Sequence, residues 1–173
     1  MTSKILPKLV VFDLDLTLWD VQVDKCNPPF HKKDESITDE KSKIVKLYPD
    51  VLNVLNSLKK YGFPLSIASR ITDISGAYQL LNLFNLNGYF DHLEIYPTEK
   101  TLHFCRLSEK TNIKYEDMMF FDDDLRNIRD ISKLGVICNF VENGLNKDVL
   151  EPLFNIKSMK NQSVNFISNK HSC

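Results

Sequence analysis

Residues 9–12, LVVF, are apolar without a break, and the run that follows, DLDLTLWD, threads acids between leucines. A short continuous apolar run is the pattern of a strand buried on both faces. From about residue 19 to 49 the pattern lapses. WDVQVDKCNPPFHKKDESITDEKSKIVKLYP has a proline pair, many charges and little periodicity, and reads as an irregular insertion. Periodicity then returns: Val51, Val54, Leu55 and Leu58 recur at helical intervals, with Pro49 and Asp50 at the start, lysines late and Gly62 as a stop. FPLSIAS predicts a strand, TDISGAYQLLNLF a helix opened by Thr72 and Asp73, and YFDHLEIY another strand. TEKTLHFCRLSEKTN predicts a third helix, DMMFF a short buried strand, DDLRNIRDISKLG a fourth helix ending at Gly135, and VICNFV a last strand before a helix near 146–155. Five strands alternating with helices imply an α/β fold, a Rossmann-like three-layer sandwich around a mainly parallel sheet. The expected organisation is one domain over 1–155, with the insertion at about 19–49 and a polar tail at 156–173 rich in Ser, Asn and Lys.

Composition narrows the partners. A chain of 173 residues that is 43% hydrophobic and 10% aromatic can build one well-packed core, and a monomer is the expectation. A formal net charge of −1 gives no global pull towards nucleic acid or an acidic membrane, so any anion must be recognised by a local site. Cys26, Cys105, Cys138 and Cys173 lie far apart with no CxxC pair, and MTSKILPK is no long apolar signal segment. A cytoplasmic setting is expected. The apolar runs are all shorter than the roughly 20 residues of a membrane span, so no membrane partner is expected.

Open parallel sheets bind ligands beyond the carboxyl ends of their strands, where the strand order reverses. Here the first strand ends in Asp13, Asp15 and Thr17, the second in Ser69 and Arg70, and the fourth in Asp122, Asp123 and Asp124, while the third leads through IYPTEK to Lys100. Each has an ordinary alternative: an Asp at a strand end is often a helix cap, Ser69 a satisfied hydroxyl, Lys100 a solvated lysine. Yet Lys100 stands in the first turn of a helix, where the macrodipole disfavours a cation. Asp13 follows a run that must be buried, where an unpaired carboxylate is costly. Two acidic strand ends side by side repel, and a hard divalent cation such as Mg²⁺ relieves the repulsion.

DLDLT after an apolar strand, Ser69, Lys100 and FFDDD resemble the four motifs of the haloacid dehalogenase superfamily of aspartate-nucleophile phosphatases. VFDLDLTLW, PPFHK, LYPDV, ASR, IYP, HF, and FFDD with RNI are similar, more closely, to its magnesium-dependent phosphatases. The likeness spans roughly residues 8–140. It implies a HAD-like fold and an Mg²⁺-dependent phosphomonoesterase of the acid-phosphatase or protein-tyrosine-phosphatase kind, acting through an aspartyl-phosphate. Asp13 would be the nucleophile and Asp15 the general acid and base. Asp13, the Asp15 main-chain carbonyl and Asp123, with Asp122 as the alternative, would hold the metal. Ser69, Lys100 and Arg70 would bind substrate. His31, His92, His103 and His171 take surface or packing roles, and Cys105 and Cys138 are expected in the core.

The insertion stands where related enzymes carry a cap domain, but about 30 residues is too few for a separate helical lid. A small flap is expected instead, with Trp19 and Phe30 forming an apolar wall beside the phosphate. Phosphotyrosine or a sugar phosphate would both fit, phosphorylated glycated amines included. The rivals are a receiver-like phosphorylatable signalling module, which has the same architecture but places its acceptor on the third strand and its Lys after the fifth, and a catalytically silent binding protein on the same scaffold.

Overall fold

The computed structural model describes residues 6–151 and 153, so the polar tail at 156–173, with His171 and Cys173, lies outside the described residues. The first strand, β1, runs Leu9–Phe12. Its alternating side chains feed two separate cores. Val10 and Phe12 pack with Val51, Val54, Leu55 and Leu58 of helix α1 (Val51–Lys60) and with Ala77, Leu80 and Leu81 of α2 (Ile74–Leu83). Leu9 and Val11 face Phe104 and Leu107 of α3 (Lys100–Thr111) and Ile131 of α4 (Leu125–Ser132). Burying both faces is why the strand has no polar position until Asp13.

Three short strands follow β1 within the insertion: β2 (His31–Lys33), β3 (Ser36–Thr38) and β4 (Ile44–Val45). The main sheet is completed by β5 (Leu65–Ser69), β6 (His92–Ile95), β7 (Met118–Asp122) and β8 (Ile137–Phe140). Its order is β6-β5-β1-β7-β8 and every pairing is parallel. The chain moves outward from β1 through β5 to β6, then crosses back to β7 on the other side. The order therefore reverses at β1, and β1, β5 and β7 present their carboxyl ends together.

Local signals set the helix ends. Asp73 caps α2 by accepting the Gly76 amide at 2.9 Å, and Asp124 caps α4 by accepting the Arg126 amide at 2.8 Å. Gly62 terminates the α1 region at φ +79°.

Two expectations are corrected. The insertion is not irregular: β2, β3 and β4 form an antiparallel sheet, folded around the Asp39 carboxylate, which accepts the amides of Asn27, Lys41 and Lys43, each at 2.9 Å. Strands of two or three residues give alternation too little length to register; Ile37 and Val45 are the inward residues of β3 and β4. The helix expected near 146–155 begins as a 3₁₀ turn, Lys147–Leu150, tied to α1 by the Lys147 amide donating to Asp50 at 3.1 Å. Among the described residues no helix is long and apolar enough to cross a membrane.

Candidate active site

Past Phe12 the chain leaves β1 through Asp13, whose amide still donates to the Phe121 carbonyl of β7 at 3.0 Å. It then turns sharply. The amides of Thr17 and Leu18 return to the Leu14 carbonyl, and Leu16 sits at φ +57°, a left-handed conformation that costs a branched side chain of order 1 kcal/mol. The turn puts Asp13 and Asp15 into one cleft of about 300 Å³, together with Leu16, Ser69, Arg70, Lys100, Asp122 and Asp123.

Lys100 holds the centre. Wholly buried at the start of α3, it donates to Asp13 Oδ1 at 2.6 Å and to the Ala68 carbonyl, and lies 3.2 Å from Asp122 Oδ2. Burial alone would drive its charge off, but Asp13 and Asp122 outweigh that and raise its pKa, so it stays an ammonium. The carboxylate pair therefore offsets the macrodipole's penalty on a lysine in a first helical turn.

The acids differ in what they have left to offer. Burial pushes Asp13 up, and Lys100 pulls against that rise. Asp122 accepts the Asp124 amide at 2.7 Å and Asn127 Nδ2 at 2.9 Å, and burial raises its pKa to about 6. Asp123 is half-buried, accepts Thr17 Oγ1 at 3.4 Å and is also raised to about 6 by burial and by Asp122. Asp124 also lines the cleft, but its carboxylate is engaged in capping α4 and pairing with Arg126 at 2.8 Å. One carboxylate oxygen from each of Asp13, Asp122 and Asp123 lies within 4.8 Å of the others, a hard-oxygen set suited to Mg²⁺. Asp123 has more free ligand capacity than Asp122, whose oxygens already serve Asp124, Asn127 and Lys100.

Asp15 is held differently: Oδ1 accepts Trp19 Nε1 at 2.7 Å and Oδ2 accepts the Val23 amide at 2.9 Å. Burial lifts its pKa to about 7 against these two donors. Ser69 is buried at the end of β5, and among the described residues its Oγ has no hydrogen-bond partner although it borders the cleft. A buried hydroxyl left unpaired is costly unless a ligand completes it. Arg70, the next residue, is exposed at the rim, 4.0 Å from Glu99.

The expected apolar wall is absent. Trp19 and Phe30 are buried, Trp19 stacking on Phe84 with centroids 6.3 Å apart. An indole beside a carboxylate and an aromatic ring is better matched inside than at a wet rim. Gln22, Asp24 and Ile71, none of them singled out by the sequence, line the cleft in their place, together with Arg126 of the RNI motif. Asn127 could have been found through the RNI motif. His103 packs as expected, wholly buried, its Nε2 3.0 Å from the carbonyls of both Ser69 and Tyr96. Burial lowers its pKa, so the ring is neutral. Cys105 and Cys138 are half-buried rather than core; Cys26, Cys105 and Cys138 are all free.

A doubly wound parallel sheet with DxDxT on the central strand, Ser and Lys beside it and paired acids on the next strand defines a hydrolase of the haloacid dehalogenase fold. A family model described as acid phosphatase matches residues 5–158. Human magnesium-dependent phosphatase 1 is 52% identical over 147 residues, covering 84% of each chain. A HAD-like hydrolase superfamily protein of Schizosaccharomyces pombe is 34% identical over 143 residues, covering 75% of this chain and 83% of its own. Among solved structures, a haloacid dehalogenase-like hydrolase from Streptococcus pneumoniae superposes with a TM-score of 0.59 at 18% identity, over 90% of this chain and 92% of that one. The chain belongs to the acid phosphatase family of the haloacid dehalogenase superfamily.

Proposed function

We propose that the protein is an Mg²⁺-dependent phosphatase that hydrolyses small phosphate monoesters through an aspartyl-phosphate. The observation that carries this reading is the juxtaposition of the Asp13 carboxylate, fixed by buried Lys100, with the unpartnered Ser69 hydroxyl in one cleft. A nucleophile and a donor for the phosphoryl oxygens thus face the same space.

The free Asp13 oxygen attacks phosphorus in line, a P–O bond to Asp13 forms and the ester P–O bond breaks. The departing electron pair is taken up as an alcohol when Asp15 gives its proton. Asp15, now a carboxylate, removes a proton from water; the water oxygen attacks phosphorus, the bond to Asp13 breaks, and inorganic phosphate leaves with both acids restored. A carboxyl with a pKa of about 7 suits both halves of this cycle near neutrality. Ser69 and Lys100 meet the charge on the phosphoryl oxygens. Asp13, the Asp15 carbonyl and Asp123 would hold Mg²⁺, and the name of the human relative supports that ion. Bound there, Mg²⁺ supplies charge neutralisation between nucleophile and phosphate.

The cleft favours a sugar-phosphate type of substrate over phosphotyrosine. Its rim carries Gln22, Asp24, Arg70 and Arg126, whereas the aromatic residues that could flank a phenol are inside the core. The test compares kcat/KM for a sugar phosphate and for phosphotyrosine with Mg²⁺ and with EDTA. Activity undiminished by EDTA would defeat the metal-dependent reading, and a preference for phosphotyrosine would defeat the substrate choice.

A further inference from the structure

We propose that Trp19 and the backbone of Val23 form a clamp that sets the direction of the Asp15 carboxylate, which makes the first turn of the insertion a positioning element for acid–base transfer. This rests on the reading of Asp15 as general acid and base. Each Asp15 oxygen has its own donor, Trp19 Nε1 at 2.7 Å on one and the Val23 amide at 2.9 Å on the other. A carboxylate held at one oxygen can still swing about its last torsion; held at both it cannot. Each oxygen retains a lone pair for the transferred proton.

The clamp is itself anchored. Trp19 has no exposed surface, stacks on Phe84, and its backbone bridges Asp15 on one side and Leu47, at the far end of the insertion, on the other. Val23 opens a 3₁₀ turn, Val23–Lys25, whose Asp24 accepts the amides of Thr72 at 3.0 Å and Asp73 at 2.8 Å. A methyl of Val23 lies so close to α2 that a Cβ on Gly76 would stand 2.9 Å from it. At a fully buried position next to a carboxylate, an indole fills the volume and supplies the donor, where phenylalanine or leucine would only fill the volume.

The experiment uses the full chain with Mg²⁺ and measures leaving-group release in a single turnover over phosphate esters of graded leaving-group pKa. Wild type is compared with Trp19→Phe, Val23→Pro, Phe84→Leu and Asp15→Asn. Val23→Pro deletes the amide donor at the first position of a turn, where proline's fixed φ is accepted, and Gln22 before it is already extended at φ −96°, ψ 116°. Trp19→Phe and Val23→Pro should each slow an alkyl phosphate about 10- to 100-fold and p-nitrophenyl phosphate far less, with KM changed less than about twofold. Phe84→Leu loosens one side of the anchor but keeps the Trp19 N–H, and should steepen the dependence much less than Trp19→Phe. The clamp is overturned if Trp19→Phe and Val23→Pro keep that dependence while Asp15→Asn steepens it, or if Phe84→Leu steepens it as much as Trp19→Phe. If Trp19→Phe does not fold, Val23→Pro decides. A wild-type dependence in Asp15→Asn would instead sink the acid–base reading itself.

Discussion

Lys100 Nζ lies 2.6 Å from Asp13 Oδ1, a buried ion pair joining the start of α3 to the end of β1. Asp122 shares the same ammonium at 3.2 Å, so one cation serves two acids. Lys100→Met should therefore leave two buried carboxylates without a counter-charge and destabilise the metal-free protein by about 3–5 kcal/mol. Urea unfolding in EDTA checks this; a loss under about 1 kcal/mol would show that the pair is not structural. Phosphatase activity should fall as well.

Asp13→Asn should reduce turnover of p-nitrophenyl phosphate by roughly 10³-fold or more, because the attacking oxygen is replaced by an amide. Removing one of three crowded acids should leave the metal-free protein as stable as wild type or more so. Steady-state rates beside thermal unfolding decide it, and turnover within tenfold of wild type would assign the nucleophile elsewhere.

Ser69→Ala separates catalysis from folding. With no partner among the described residues, the Ser69 hydroxyl contributes no hydrogen bond that alanine would lose, so the melting temperature of the ligand-free protein should stay the same or rise. The loss of one donor to the phosphoryl oxygens should lower kcat/KM about 10²- to 10³-fold. A drop in melting temperature with near-normal activity would contradict both halves.

The pH dependence of the metal-free protein follows from acids whose folded pKa values are raised: Asp122 and Asp123 to about 6, Asp15 to about 7, mainly by burial. The folded state then binds more protons than the unfolded one above the ordinary carboxylate range. These groups stabilise fully below about pH 4, and that stabilisation is lost as pH rises through 6 and 7. Asp123→Asn should be less steeply pH-dependent than wild type between pH 5 and 7 and more stable at pH 7. Mg²⁺ should flatten the wild-type curve. Unfolding midpoints from pH 4 to 8, with EDTA or Mg²⁺, test the signs.

Much of this was legible because single residues carried it. The apolar run before Asp13 could only be a doubly buried strand, and Val51, Val54, Leu55 and Leu58 could only be one face of a helix. Asp13, Asp15, Ser69, Arg70, Lys100, Asp122 and Asp123 do converge on one cleft, since each stands at or just beyond a strand end and the sheet reverses at β1. What escaped was set by contacts distant in sequence or by strands too short to show a period. Trp19 read as a rim aromatic because nothing in the chain reveals that Phe84 receives it. The insertion read as irregular because its sheet is organised by Asp39 through backbone amides, which leave no side-chain pattern.

The central place of β1 fixes when the cleft can exist during synthesis. Thr17 meets Asp123 across 106 positions, and Lys100 meets Asp13 across 87. A ribosome exports Asp13 well before its neighbours on β7. No shorter nascent chain carries the acids together, and domains of this size fold as units. Cation affinity and catalytic competence should therefore arrive together, when β7 docks beside β1, leaving no early fragment that could take up phosphate on its own.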